Sequence, residues 1–484
     1  MKRNLIALSV AAAFAAPAAH ALTPTQLTTL FSADPTSVDQ LWISGATAPT
    51  AAVRGAVAKL CVDADANGVA DDLHIYGDTA GSSTKRVSAY ACTLTSTGKP
   101  TLVYHTHNGG SFEAYTPHLI TSGEVNPFIG STVLAMKDIA GGLATCDTTG
   151  AVSPYNYVAC GQKTDLVLAA NTSVNHYPTL PRGGFSDTEY VLNQINLNVA
   201  LGLGDIGTES PTGVGQGFGL GASFKLYRDL QTDQFGATSA CVSGFSVASP
   251  NLTEACKPSV PAYKYMLVTN AGTAASKDAS LFNKNWPTAG TIAATSALSI
   301  ERRVGTSGTQ STSAQFFLNA PCGTGQPGGA LTAAGSNAAG STVLGVVTVR
   351  SNNGSGDVAS ALNSTAAYKL GVLSLENTPA TSWNWVKIDG VSPTDDTGAD
   401  ALNTGKNRAT SLNGSYKFWN ELVGFVPASD SGEGAALISG IIGAWSDPAL
   451  TNLKGIFPTV LTGATGATVS EWVKNGVACS QPTR

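Results

Sequence analysis

The residues best suited to chemistry stand together in ERRVGTSGTQ, positions 301–310. Two arginines run into Gly-Thr-Ser-Gly-Thr, whose side chains are too small to shield the backbone. Open N–H groups beside a fixed positive charge are a common means of holding a small anion. The competing reading is a Ser/Thr/Gly turn that happens to follow two arginines. A second constellation, DADANGVADD (63–72), sets Asp63, Asp65, Asn67, the Val69 carbonyl and Asp71 at the spacing that opens a calcium loop. Its twelfth position is His74 rather than a bidentate glutamate, so an EF-hand proper is excluded. A looser calcium loop or a solvated acidic turn remains. His105 and His107 share one strand face, but a metal centre needs a third ligand within reach, and the pair reads better as part of a loop or hinge strand. No G-x-S-x-G stretch stands between a strand and a helix, and GVGQGFGLG (213–221) lacks the acidic residue of a dinucleotide site. The latter reads as a hinge strand.

A repeated plan of strand, small-residue turn and helix must position these groups. LWISGATAPTAAVRGAVAKLC (41–61) predicts a strand, then a helix from near Pro49 with Thr47 as its cap. TLVYHTHNGGSFEAY (101–115) predicts the same, and in GGFSDTEYVLNQI (183–195) a Gly-Gly turn precedes a helix. The plan returns at 215–231, 296–319 and 345–364, while YKFWNELVGF (416–425) and AALISGIIGAW (435–445) read as helical. Alternating strands and helices imply an α/β fold with substantially parallel sheets, whose ligands lie beyond the carboxyl ends of the strands.

Residues 1–21 read as a secretory signal peptide: Lys2 and Arg3, an apolar stretch, and an Ala-His-Ala ending. No later stretch is apolar for long enough to span a membrane. Two of the 27 basic residues fall in that leader, so the remainder faces 32 acids with a net charge of about −7. That balance argues against a nucleic-acid partner. Eight cysteines in an oxidising compartment predict disulfides. Cys146–Cys160 and Cys241–Cys256 would close short loops, Cys61–Cys92 is a third pair, and Cys322–Cys479 follows by elimination. About 460 residues after the leader exceed one core, so two lobes are expected.

Four pieces, in order, carry a resemblance to a family: SGATAP (44–49), YHTHNGGS (104–111), GGFSD (183–187) and RRVGTSGT (302–309). Together with WVKIDGVSPT and GSYKFWNEL, they resemble the periplasmic phosphate-binding protein of the phosphate ABC transporter. The resemblance implies a two-lobed α/β fold with a hinge and an inter-lobe cleft. Lobe one would take 22–212, with an insertion near 120–180, and 368–484; lobe two would take 213–367. It also implies a non-enzymatic protein, periplasmic or secreted, that clamps a small oxyanion, with an ABC transporter permease as partner and no stable membrane insertion. Donors would come from Thr47, Ala48, Ser111, Ser307, Gly308 and Thr309, with Arg303 as the bidentate cation and Arg302 as second choice. Asp187 would accept a hydrogen bond from a protonated oxyanion. No cofactor is implied beyond calcium at the acidic loop. Two other readings stay open: a secreted surface or adhesion protein on the same fold, and a phosphohydrolase, for which neither nucleophile nor metal cluster is recognisable.

Overall fold

The apolar runs that predict strands form, in the computed structural model, one large mixed sheet whose two halves share one long strand, and a separate two-stranded sheet. The structure describes residues 22, 24–34, 36–67, 70–78, 87–106, 110–119, 146–147, 151–152, 155–160, 181–197, 199–269, 291–292, 295–320, 322, 340–344, 346–398, 401, 403–459, 470 and 479. In chain order the strands are β1 (Asp39–Gly45), β2 (His74–Asp78), β3 (Val87–Thr93), β4 (Pro100–Thr106), β5 (Cys146–Asp147), β6 (Ala151–Val152), β7 (Tyr155–Cys160) and β8 (Gly183–Ser186). Next come β9 (Gly207–Ser223), β10 (Ser259–Val260), β11 (Leu298–Arg303), β12 (Gly340–Leu344), β13 (Val347–Asn352) and β14 (Tyr368–Ser374). The last are β15 (Trp383–Trp385), β16 (Lys387–Ile388), β17 (Trp419–Pro427) and β18 (Ile456–Pro458).

Each half has a parallel centre. In the first, β8, β1 and β4 run parallel, with Ile43 level with both Gly183 and His105. In the second, β13, β11 and β14 run parallel. Antiparallel strands extend both, so the large sheet is mixed rather than substantially parallel. β9 serves the two halves: Gly207–Gly217 pairs with β17, and Phe218–Ala222 pairs with β14. Each half buries its own core. Leu41, Ile43, Val53, Val57 and Val103 pack with Ile438 and Ile441 in one. Ile300, Val349, Leu370 and Val372 pack with Leu226, Phe317 and Val358 in the other. Fully burying one such side chain contributes roughly 1.5–3 kcal/mol, which holds the helices Thr50–Leu60 and Gly308–Leu318 against the large sheet. The architecture is mixed α/β, with two core-bearing lobes joined through one strand.

Several expectations need correction. Gly183 and Gly184 do not turn: they are strand residues between β1 and β17. A Cβ on Gly184 would stand 2.3 Å from the Ser44 carbonyl oxygen, so glycine serves close strand approach there. Trp419–Pro427 is a strand rather than a helix, buried at eight of its nine positions and paired on both edges. A strand covered on both faces loses the alternation that marks it in sequence. After the second loop come only 3-10 turns, Ser111–Ala114 and Thr116–His118, not a helix. The chain does not leave the second lobe at 368, since β14, β15 and residues to Phe418 pack into its core. The helix Thr50–Leu60 is not capped by the Thr47 side chain; the Thr47 carbonyl accepts from Thr50 N–H and Oγ1 instead.

Disulfides join Cys61 to Cys92, Cys241 to Cys256 and Cys322 to Cys479. The expected Cys146–Cys160 pair falls on side chains outside those described; the backbones of β5 and β7 set the two residues opposite each other. Most of 120–180 also lies outside the described residues; its strands β5, β6 and β7 extend the edge of the first half. Among the described residues, no helix is long and apolar enough to cross a membrane.

Candidate functional site

Two strand ends from each lobe deliver the site. Ser111 follows β4 and Asp187 follows β8 in the first lobe; Arg303 ends β11 and Glu376 lies two residues past β14 in the second. This is the carboxyl edge of the parallel strands, where α/β sheets place ligands. The lobes touch here. Phe112 N–H donates to the Thr306 carbonyl at 3.0 Å, Gly308 N–H to Ser111 Oγ at 3.1 Å, and Ser311 Oγ to Asn193 Oδ1 at 2.6 Å. A Cβ on Gly308 would stand 2.3 Å from Ser111 Oγ and 2.7 Å from Asp187 Cβ, so only glycine permits this approach.

Arg303 is 5 % exposed. Its Nη1 donates to Ser355 Oγ at 2.9 Å and its Nη2 to the Asn353 carbonyl at 2.8 Å, while the buried Nε has no partner. Among the described residues no carboxylate forms an ion pair with it, although the charges of Asp187, Asp357 and Glu376 all act on it. Burial pulls its pKa down to about 10 against those charges, leaving it cationic at neutral pH. Four residues on, Ser307 precedes the helix Gly308–Leu318, whose first turn points N–H groups outward. Ser307 and Thr309 are buried there.

Asp187 is 4 % exposed; its Oδ2 accepts from Ser111 Oγ at 2.8 Å and its Oδ1 has no partner. Burial pushes its pKa up to about 6, opposed by the Ser111 hydrogen bond and the Arg303 charge. Ser111 and Gly308, expected to present donors to an anion, are instead turned on Asp187 and on each other. A carboxylate in so dry a place draws the nearest donors. Arg302 occupies the other strand face, where its electrostatic neighbour is Tyr265. Thr47 is exposed and Ala48 buried, both just past the end of β1.

Glu376 was not foreseen. Its surface is only partly exposed, and burial raises its pKa to about 8, with the Asp187 charge adding to the shift. The only sequence signal is an acid two residues beyond a buried strand, in GVLSLEN. Ser355 and Asn353, which hold the guanidinium, were also missed.

The acidic loop brings Asp63, Asp65 and Asp71 together, one carboxylate oxygen from each lying within 4.8 Å of the others. The Asn67 side-chain amide donates to Asp65 Oδ2; Val69 lies outside the described residues. His105 is buried with Nδ1 3.4 Å from the Tyr90 hydroxyl, and His107 lies outside the described residues.

No family model matches the chain, and no curated protein matches it. Among solved structures it is similar to one from Clostridium perfringens assigned as a phosphate ABC transporter substrate-binding protein with bound phosphate. The identity is 11 % and the TM-score 0.38, over 87 % of this chain and 100 % of the other. That is a distant likeness of fold, too remote to transfer a ligand or a residue role.

Proposed function

We propose that this chain is an exported solute-binding protein that closes two lobes on a small oxyanion, with phosphate the preferred ligand. One observation carries the reading: Arg303 is buried just before a helix amino terminus, has an unpartnered Nε, and forms no ion pair with a carboxylate among the described residues. An uncompensated buried cation destabilises a fold, so its retention fits use on an incoming anion. The anion would sit between Arg303, the first turn of Gly308–Leu318 and Asp187. Ser111 would orient the carboxylate, which accepts the proton that phosphate still carries near pH 7 and sulfate lacks. Thr47 and Ala48 would complete the first-lobe side. Export and a transporter permease belong to the same reading, which the leader-like residues 1–21 and the three disulfides support. Calorimetry of the purified protein with phosphate, sulfate and molybdate tests it. Saturable one-to-one binding of phosphate, tighter than that of sulfate, is expected; no binding of any of the three rejects it.

A further inference from the structure

Glu376 shares a sheet edge with the cation. β14 runs parallel to β11 with Gly371 level with Glu301, so the chain leaves both strands on the side where Arg303 stands. The Ser374 hydroxyl donates to Glu376 Oε1 at 3.1 Å, which ties down one carboxyl oxygen. Arg303 and Asp187 both act on Glu376 electrostatically, so the three charged groups lie near one another at this edge. Yet Arg303 spends its described hydrogen bonds on Ser355 and Asn353 and forms no ion pair with Glu376. Glu376 is therefore not the counter-ion of that arginine.

The other charged groups nearby are occupied elsewhere. Lys454, on the loop whose Gly455 packs against the Leu375–Glu376 backbone, turns its amine to Thr378 Oγ1 at 3.0 Å. Asp357 accepts from Gly354 N–H at its own helix start. In the segment whose Asn407 donates to the Leu375 carbonyl, Asp396 accepts backbone N–H groups and Arg408 donates to carbonyls and amides.

Two ionised carboxylates around one guanidinium would repel a dianion in a poorly solvated cleft. A proton on one of them reverses the sign and creates a donor. Resting on the reading of this cleft as an oxyanion site, we propose that Glu376 is a further ligand whose protonated carboxyl donates to an anion oxygen. Asp187 accepts the anion's own proton at the same time. In alkaline solution each phosphate bound therefore brings one proton from solvent onto Glu376, while hydrogen phosphate keeps its own. The burial that holds the Glu376 carboxyl up to about 8 sets where this coupling begins.

Calorimetry of phosphate binding at pH 9, in two buffers of different ionisation enthalpy, reads the coupling directly. The full-length wild type should take up close to one proton per phosphate and Glu376→Gln close to none. By linkage, wild-type affinity should fall about tenfold between pH 8 and 9.5, and the variant should lose that slope. Should Glu376→Gln not fold, Glu376→Met, which also removes the titrating group, supplies the same comparison. Phosphate binding at pH 9 without proton uptake, or with equal uptake by Glu376→Gln, overturns the role of Glu376 and leaves the binding function standing. Absence of phosphate, sulfate and molybdate binding from pH 6.5 to 9 overturns both.

Discussion

Arg408 and Arg303 are both buried guanidinium groups, at 2 % and 5 % exposure, and the protein treats them in opposite ways. Arg408 lies where the C-terminal segments meet. Its Nε donates to Asn403 Oδ1, its Nη1 to the Thr451 and Ile456 carbonyls, and its Nη2 to Asn452 Oδ1, all at 2.9 to 3.1 Å. Every described acceptor is neutral, and all but Ile456, at the start of β18, belong to loops that the arginine pins. Arg303 has two such bonds, a bare Nε, and carboxylates close enough to act on it without pairing. A cation saturated by carbonyls serves the fold. One with spare donors beside a helix amino terminus is left for something else to complete.

The sharpest test of this contrast is Arg408→Ala. Four acceptors would lose their donor in a dry interior, a loss of about 3–5 kcal/mol. Thermal melts should show Tm falling by about 10 °C. A drop under about 2 °C would mean that water or neighbours replace the guanidinium and that the two arginines do not differ as described.

Arg303→Ala should behave in reverse. Phosphate affinity should weaken at least thirtyfold, roughly 2–5 kcal/mol, while Tm stays close to wild type because no saturated network is broken. Titration of the folded variant decides it. Retained affinity here with loss in Arg302→Ala would move the site to the other face of β11.

Asp187→Asn sharpens the anionic side of the same site. An amide can donate to sulfate where a carboxylate repels it, so competition assays should show phosphate preference falling about tenfold, near 1.4 kcal/mol. Unchanged selectivity would reduce Asp187 to an anchor for Ser111.

The smallest effect concerns Glu113, 6 % exposed and with Oε2 lacking a partner. Burial raises its pKa from 4.5 to about 8, so between those values the folded chain holds a proton that the unfolded chain has lost. Its contribution to stability is complete below pH 4.5 and declines as pH rises through 8. Glu113→Gln keeps the neutral form throughout and should raise Tm by about 3 °C at pH 9 and scarcely at pH 4. A gain of equal size at both would show packing, not titration, at work.

Local spacing alone determined a good deal of this protein. The strand, turn and helix over 298–318 were legible because Leu298 and Ile300 alternate before a break of small residues. Arg303 and Asp187 could be singled out because each sits beside such a break. Three of the expected cysteine pairs also matched, since spacing and elimination left few partners. Only the tertiary structure decided the rest. Trp419–Pro427 became a strand because β8 and β9 stand on either side of it, information that no short window contains. Gly183 and Gly184 became strand residues because neighbouring backbones crowd them. Gly308 spends its N–H on Ser111 Oγ because two lobes meet, 197 residues apart in sequence. Glu376 is beside Arg303 only because β14 lies next to β11, and the proton affinity of a carboxyl depends on what surrounds it after folding.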